Sequence, residues 1–132
     1  MRETEGEPAT VTAHPTPSLD LIFDLLSNRR RRYALYYLHE QPDGVASVDE
    51  IADGVVELQF AESSPATDGR ADADTDFDRQ RRQIRTELQH THLPKLADAG
   101  VLEHDQRSET VRYWTQPSLA EWLEHARHKE LP

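Results

Sequence analysis

The sequence lacks cysteine altogether and has no long hydrophobic run. The absence of cysteine excludes disulfides, thiolate metal sites and a cysteine nucleophile. No apolar stretch approaches the ~18–20 residues that a membrane-spanning helix needs, so we expect no membrane association. Glycine-rich phosphate loops and nucleophile elbows are also missing. These absences indicate that the protein is not an enzyme, and they leave no identifiable cofactor, metal or small-molecule ligand.

Lysine is scarce as well: two of the 15 basic residues are lysine and 13 are arginine, against 25 acidic residues. The net charge of −10 argues against a nucleic-acid partner, because an acidic surface repels phosphate. The same composition resembles that of proteins from halophilic archaea, whose cytoplasm is rich in salt. In molar salt the Debye length is about 3 Å, so local charge geometry decides more than net charge does.

The N-terminal residues are polar and rich in proline and threonine, with no apolar core of a signal peptide. We therefore expect a cytoplasmic protein with a disordered leader over residues 1–17. The remaining length suits a single domain. We place this domain at residues 18–128, followed by a short tail at residues 129–132.

Hydrophobic spacing and capping residues predict three helices and one strand in the first half of the chain. Ser18 is a suitable N-cap for the first helix, and Ser47 with Glu50 forms a capping box for the third. The predicted elements are a helix over Leu19–Leu26, a helix over about Arg29–His39, a short strand at Val45-Ala46 and a helix that ends near Leu58.

The second half predicts two further helices and a β-hairpin. Pro94 has no N–H to offer the carbonyl of His90, so we expect a kink in the first of these helices. Ser118 and Glu121 have the spacing of a second capping box, at the start of the last helix. The predicted elements are an acidic flexible loop at residues 61–75, a long helix from about Asp76 to Ala99, a hairpin within residues 101–114 and a final helix that ends near His128.

This order of elements indicates the fold class. Helices followed by a small β-hairpin are the arrangement of a winged helix-turn-helix domain. The sequence therefore predicts a mainly α protein with a small β-hairpin. The third and fourth helices would form the helix-turn-helix pair, with the acidic loop as an enlarged turn between them.

Two motifs resemble a haloarchaeal family of otherwise uncharacterised winged-helix domains. They are Leu26–Tyr33 with Leu35–Leu38 after it, and His90–Glu103. The resemblance covers roughly Leu19–Trp114 and implies a winged-helix protein presumed to bind DNA. The second motif is also similar to arsenical-repressor-like regulators, which implies a dimeric repressor, although the acidic insertion, Pro94 and the missing sensor cysteines depart from that class. The residues that match the class are His92, Leu93, Leu96, Ala99, Gly100, Val101 and Leu102.

The candidate DNA-reading surface lies on the long helix. Between Asp76 and Lys95 there are five basic and three acidic residues, whereas the preceding segment is strongly acidic. Arginine can bind guanine with two hydrogen bonds, and glutamine can bind adenine in the same way. The alternative is an ordinary solvated helix face. All of the candidate residues except Arg85 can share the side opposite Ile84 and Leu88. The candidates are Arg79, Arg82, Gln83, Arg85, Thr86, Gln89 and His90.

Two other groups of arginines are candidates for contact with DNA. Arg107 and Arg112 belong to the predicted hairpin, where they suit phosphate or minor-groove contact, or are simply solvated. The run Arg29–Arg32 points in four directions around a helix, so we favour a structural role in which some pair with acidic neighbours such as Asp20 or Asp24.

The first and last helices each carry one apolar stripe, which either closes the core or pairs with a second copy. A two-fold homodimer would place two recognition helices on successive major grooves. His125 and His128 have a spacing that can share a metal ion, but that spacing is common by chance, and we assign no metal site.

Two functions therefore remain open. The first is a dimeric, sequence-specific regulator that binds double-stranded DNA through the long helix and the hairpin. The second is a winged-helix module that binds another protein and never touches DNA. The arginines of the long helix separate the two, because arginines that pair with the protein's own carboxylates are withdrawn from DNA.

Overall fold

The computed structural model describes residues 17–62 and 70–131, which form a mainly helical domain with one three-stranded antiparallel sheet. The sheet order is β1-β3-β2. The order of elements and the sheet topology agree with the predicted winged helix-turn-helix class. The helices are α1 (Leu19–Leu25), α2 (Arg29–Glu40), α3 (Val48–Glu62), α4 (Arg70–Glu87), α5 (Leu93–Asp98) and α6 (Pro117–Glu130), and the strands are β1 (Val45–Ser47), β2 (Leu102–Asp105) and β3 (Thr110–Tyr113).

Local capping starts α1 and α3, as the sequence predicts. The Ser18 hydroxyl accepts a hydrogen bond from the N–H of Leu21 at 3.1 Å. At α3 the backbone N–H of Glu50 donates to the Ser47 hydroxyl at 3.0 Å, and the Glu50 carboxylate accepts from the Ser47 N–H at 2.9 Å. This reciprocal pair is the predicted capping box, and it satisfies two amides that have no partner inside the helix.

The hydrophobic core surrounds α2, which supplies Tyr33, Leu35 and Leu38 as fully buried side chains. Helix α3 crosses α2 at Gly54, where a Cβ atom would meet the ring of Tyr37. Glycine is therefore required by the close approach of the two helices, although it is a poor helix former. This crossing fixes the position of α3 on the core.

The predicted acidic loop at residues 61–75 is too long. Helix α3 continues to Glu62 and α4 begins at Arg70, so only residues 63–69 of that segment lie outside the described residues. Phe60 and Phe77 pack edge to face across the two helices, with ring centroids 5.4 Å apart. This contact joins α3 and α4, and no local sequence pattern indicates it.

The long helix is continuous but changes its winding before Pro94. Residues Leu88–His92 form a π-helical turn between α4 and α5, closed by a hydrogen bond from the Leu93 N–H to the carbonyl of Leu88. A π-turn contains one residue more than an α-helical turn, and this extra residue makes room for the ring of Pro94, which also has no N–H to donate. We refer to α4, the π-turn and α5 together as the composite helix. It ends at Asp98 with Ala99 as the C-cap, and the φ of 81° at Gly100 suits the residue after a helix cap.

The C-terminal helix differs from the prediction at both ends. It begins at Pro117, so Ser118 lies inside the first turn, and Gln116 occupies the N-cap position without a side-chain capping bond. The predicted capping box of Ser118 and Glu121 is therefore wrong. The helix continues to Glu130, so it includes the first two residues of the predicted tail at residues 129–132.

The predicted leader at residues 1–17 lies outside the described residues except for Pro17, which is buried. Among the helices of residues 17–62 and 70–131, none has the length and apolar character to cross a membrane.

Candidate nucleic-acid interface

The composite helix presents one polar face to solvent, opposite the buried Ile84 and Leu88. We call this surface the outer face and define it by the exposed residues Arg82, Gln83, Thr86 and His90. Arg82 has no ion pair among the residues that the structure describes. Its guanidinium is therefore available to a ligand, together with the amide of Gln83 and the hydroxyl of Thr86.

Arg85 and Gln89 do not belong to this free surface, although the sequence predicts them as DNA-binding. The Nη2 of Arg85 donates to the Glu109 carboxylate at 2.9 Å, and its Nε donates to Asp49. The side-chain amide of Gln89 donates to the same Glu109 oxygen at 2.8 Å. These hydrogen bonds join the composite helix to Asp49 on α3 and to Glu109, the residue before β3.

Two further arginines of α4 are also paired. Arg79 binds Asp76 one helical turn away, and both side chains are well exposed. Arg81 binds Asp53 on α3 and lies 3.6 Å from Asp49. The hydrogen bond to Asp53 raises the pKa of Arg81. Carboxylates of α3 and of α4 itself therefore neutralise much of the positive charge that the sequence suggests for α4.

The β2–β3 hairpin holds the other two candidate arginines, Arg107 and Arg112, and both are exposed. Arg107 lies in the turn, where the Asp105 carboxylate accepts its backbone N–H at 3.0 Å. Arg112 lies on β3 opposite Val45 of β1 and Glu103 of β2. The side chains of both arginines have no ion pair within residues 17–62 and 70–131.

The run Arg29–Arg32 supports the fold, in agreement with the favoured prediction. Arg30 donates to Glu87, Gln80 and Gln59 and thereby joins α2 to α4 and α3. Arg32 binds Glu130 at the end of α6. The partners differ from the expected Asp20 and Asp24 carboxylates, because the run faces elements that are distant in sequence.

Arg31 is the most buried member of the run, with 5% of its surface exposed. Its guanidinium donates to the carbonyls of Leu25 and Asp24 at 2.7 and 2.8 Å, at the C-terminal end of α1. It also lies 3.4 Å from Nδ1 of His92 in the π-turn. Burial, together with the charge of Arg31, lowers the pKa of His92, so the π-turn contains a neutral histidine in its core-facing position.

Sequence reasoning missed Glu109 and Asp49, the residues that bind Arg85. No local signal marks them, because their partners are 24 and 36 residues away along the chain. Only the packing of α3 and the hairpin against the composite helix brings these groups together. In the described part of the chain no group of three or more histidine, aspartate or glutamate side chains could hold a metal ion.

A family model described as a domain of unknown function, DUF7344, matches residues 23–112. The chain belongs to the DUF7344 family. The matched region extends from α1 through the hairpin to Arg112, so it contains the outer face and both hairpin arginines. A comparison with curated proteins gives no match, and a comparison with solved structures gives none either.

Proposed function

We propose that this DUF7344 protein is a transcriptional regulator of a halophilic archaeon that acts in the cytoplasm and binds double-stranded DNA. The observation that carries the proposal is the outer face, an exposed set of donors and acceptors on a helix attached to a β-hairpin. Glu109 connects the two through Arg85 and Gln89. A helix and a hairpin joined by hydrogen bonds suit simultaneous contact with a groove and with the phosphates beside it.

The roles follow from the chemistry of the free side chains. Arg82 and Gln83 suit guanine and adenine edges in the major groove. Arg107 and Arg112 suit phosphates, which position a protein on the duplex without reading sequence. The two phosphate-binding arginines of each copy are expected to contribute about −1.8 to the slope of log K against log salt. This shallow dependence fits a protein that works in concentrated salt.

A homodimer is part of the proposal. Leu19 and Phe23 on α1 and Trp122 on α6 are exposed by 52%, 47% and 36%, although they belong to the apolar stripes of their helices. The rings of Phe23 and Trp122 pack edge to face with centroids 5.2 Å apart, beside a groove of about 530 Å³. A second copy related by a two-fold axis would cover the same patch on both chains and present two outer faces to DNA.

The dimer is tested by the molar mass of the protein in solution. We expect a dimer for the wild type and a folded monomer for Trp122→Ser, with Glu121→Gln on the same helix as a control that stays dimeric. A wild-type protein that remains monomeric at high concentration contradicts this part of the proposal.

DNA binding is tested with fragments from the protein's own genomic neighbourhood, in molar potassium chloride. Loss of one base contact costs about 1–3 kcal/mol, so Arg82→Ala is expected to weaken binding to the selected site about 5- to 150-fold. Arg127→Ala is the matched control, because Arg127 is an exposed arginine on α6 paired with Glu40. Site-selective binding that Arg82→Ala leaves unchanged contradicts the outer face as the reading surface.

The second candidate function is a protein-interaction module. The observation in its favour is that Arg79, Arg81 and Arg85 are all paired with carboxylates, which leaves Arg82 as the unpaired arginine within residues 76–87. A folded wild-type protein that prefers no genomic fragment over random DNA would favour this second function.

A further inference from the structure

Glu109 combines an unfavourable backbone conformation with an unusual side-chain role. Its φ of 58° makes it the one non-glycine residue with a positive φ within the described ranges. Glycine adopts this left-handed conformation without strain, whereas a residue with a Cβ does not. Residues held in such conformations are concentrated at functional sites, where the surrounding contacts maintain the strain.

The contacts that hold Glu109 come from two elements, α3 and the composite helix. Its backbone carbonyl accepts from the N–H of Val48 at the start of α3, at 2.9 Å. One oxygen of its carboxylate accepts from both Arg85 and Gln89 on the composite helix, at 2.9 and 2.8 Å. Because Asp49 also binds Arg85, two carboxylates share one guanidinium, and this spot carries a net negative charge.

The donors that Glu109 occupies are the ones that DNA would use. A carboxylate and a phosphate present similar anionic acceptors to an arginine. Arg85 lies one helical turn after Arg82 on the same helix, next to the outer face. The Glu109 carboxylate therefore takes the position of a DNA acceptor at the edge of the proposed reading surface.

We propose that Glu109 is an internal competitor of DNA that withholds Arg85 and Gln89 from phosphates and base edges. This inference rests on the proposed function and adds to it a residue that determines specificity. By withholding an arginine that would bind any phosphate, Glu109 weakens binding to random DNA and leaves selection to the outer face. Removing it frees the Nη2 of Arg85 for a phosphate, while the Nε stays bound to Asp49, and it leaves this cluster less negative by one charge.

The test measures the affinity of the full chain for a random-sequence duplex over a potassium chloride series. Glu109→Gly removes the side chain and suits the positive φ, and Glu109→Gln removes the charge but keeps the shape. Glu109→Gly is expected to bind random DNA about tenfold more tightly at low salt, as one hydrogen bond to a charged group allows. Glu109→Gln is expected to show a smaller gain, because its amide oxygen can still accept from Arg85. The slope of log K against log salt should become steeper by about 0.9.

Two further variants isolate the contact from the charge. In the double variant Glu109→Gly/Arg85→Ala, the gain in affinity and the change in slope are expected to disappear, because the guanidinium of Arg85 has been removed. Glu57→Gln removes one exposed carboxylate from α3 and is expected to change neither quantity. All variants are first compared by circular dichroism, so that each measurement is made on folded protein.

The inference is overturned when both Glu109 variants, although folded, bind random DNA no more tightly than the wild type. It is equally overturned when the double variant keeps the full gain, since removal of charge alone would then explain it. The proposed function has a separate test, because Arg82→Ala on the genomic site involves neither Glu109 nor Arg85. A gain that depends on Arg85 supports the competitor role even where Arg82→Ala has no effect.

Discussion

Replacing Arg31 by methionine tests whether the arginine run of α2 supports the fold. Arg31 is 5% exposed, and its side chain donates to the carbonyls of Leu25 and Asp24 at the end of α1. Each hydrogen bond from a charged donor contributes about 1.5–3 kcal/mol, so two bonds contribute about 3–6 kcal/mol. Burial of the guanidinium costs part of this, as the lowered pKa of Arg31 indicates. We expect a net destabilisation of about 2–4 kcal/mol.

The assay is urea unfolding in molar potassium chloride, followed by circular dichroism. With a slope of about 2 kcal/mol per molar urea, Arg31→Met should lower the midpoint by about 1–2 M. Arg31→Lys keeps the charge but cannot reach both carbonyls with a planar fork, so we expect it to recover less than half of the loss. Arg82→Met removes an exposed arginine and should change the stability by less than about 0.5 kcal/mol.

A change of less than about 0.5 kcal/mol for Arg31→Met would refute the reasoning. It would mean that the cost of burying the guanidinium cancels its two hydrogen bonds. The end of α1 would then be held by apolar packing alone.

Three further predictions concern stability. Gly54→Ala should destabilise the fold by about 1–3 kcal/mol in chemical unfolding, because the added methyl group collides with the Tyr37 ring; in a Tyr37→Ala background the same change should be neutral or stabilising. The pKa of His92 in the native state is lowered from 6.5, so below pH 6.5 the unfolded chain binds a proton at His92 more readily than the native state does. The free energy of unfolding should therefore fall as the pH drops below 6.5. His92→Gln should remove that part of the pH dependence. Gly44→Ala should lower the melting temperature, because Gly44 has a φ of 70° and a Cβ there would meet the Tyr113 carbonyl; a melting temperature equal to that of the wild type would contradict this argument.

Local sequence signals determined most of the secondary structure. Ser18 and the pair of Ser47 and Glu50 start their helices as predicted, because a cap depends on residues within one turn. Hydrophobic spacing predicted the helices and the hairpin correctly because it too is a pattern among residues that are close in sequence. The exceptions are segments whose secondary structure depends on packing between elements distant in sequence. One example is residues 61–75, predicted as a loop, into which α3 and α4 both extend.

The candidate site divides in the same way. The spacing of polar and apolar residues along one helix was sufficient to predict the exposed group of Arg82, Gln83, Thr86 and His90. Only the tertiary structure decided that Arg85 and Gln89 are bound by Glu109. Ion pairs between residues far apart in the chain depend on how whole elements pack, and no spacing pattern in the sequence encodes that packing.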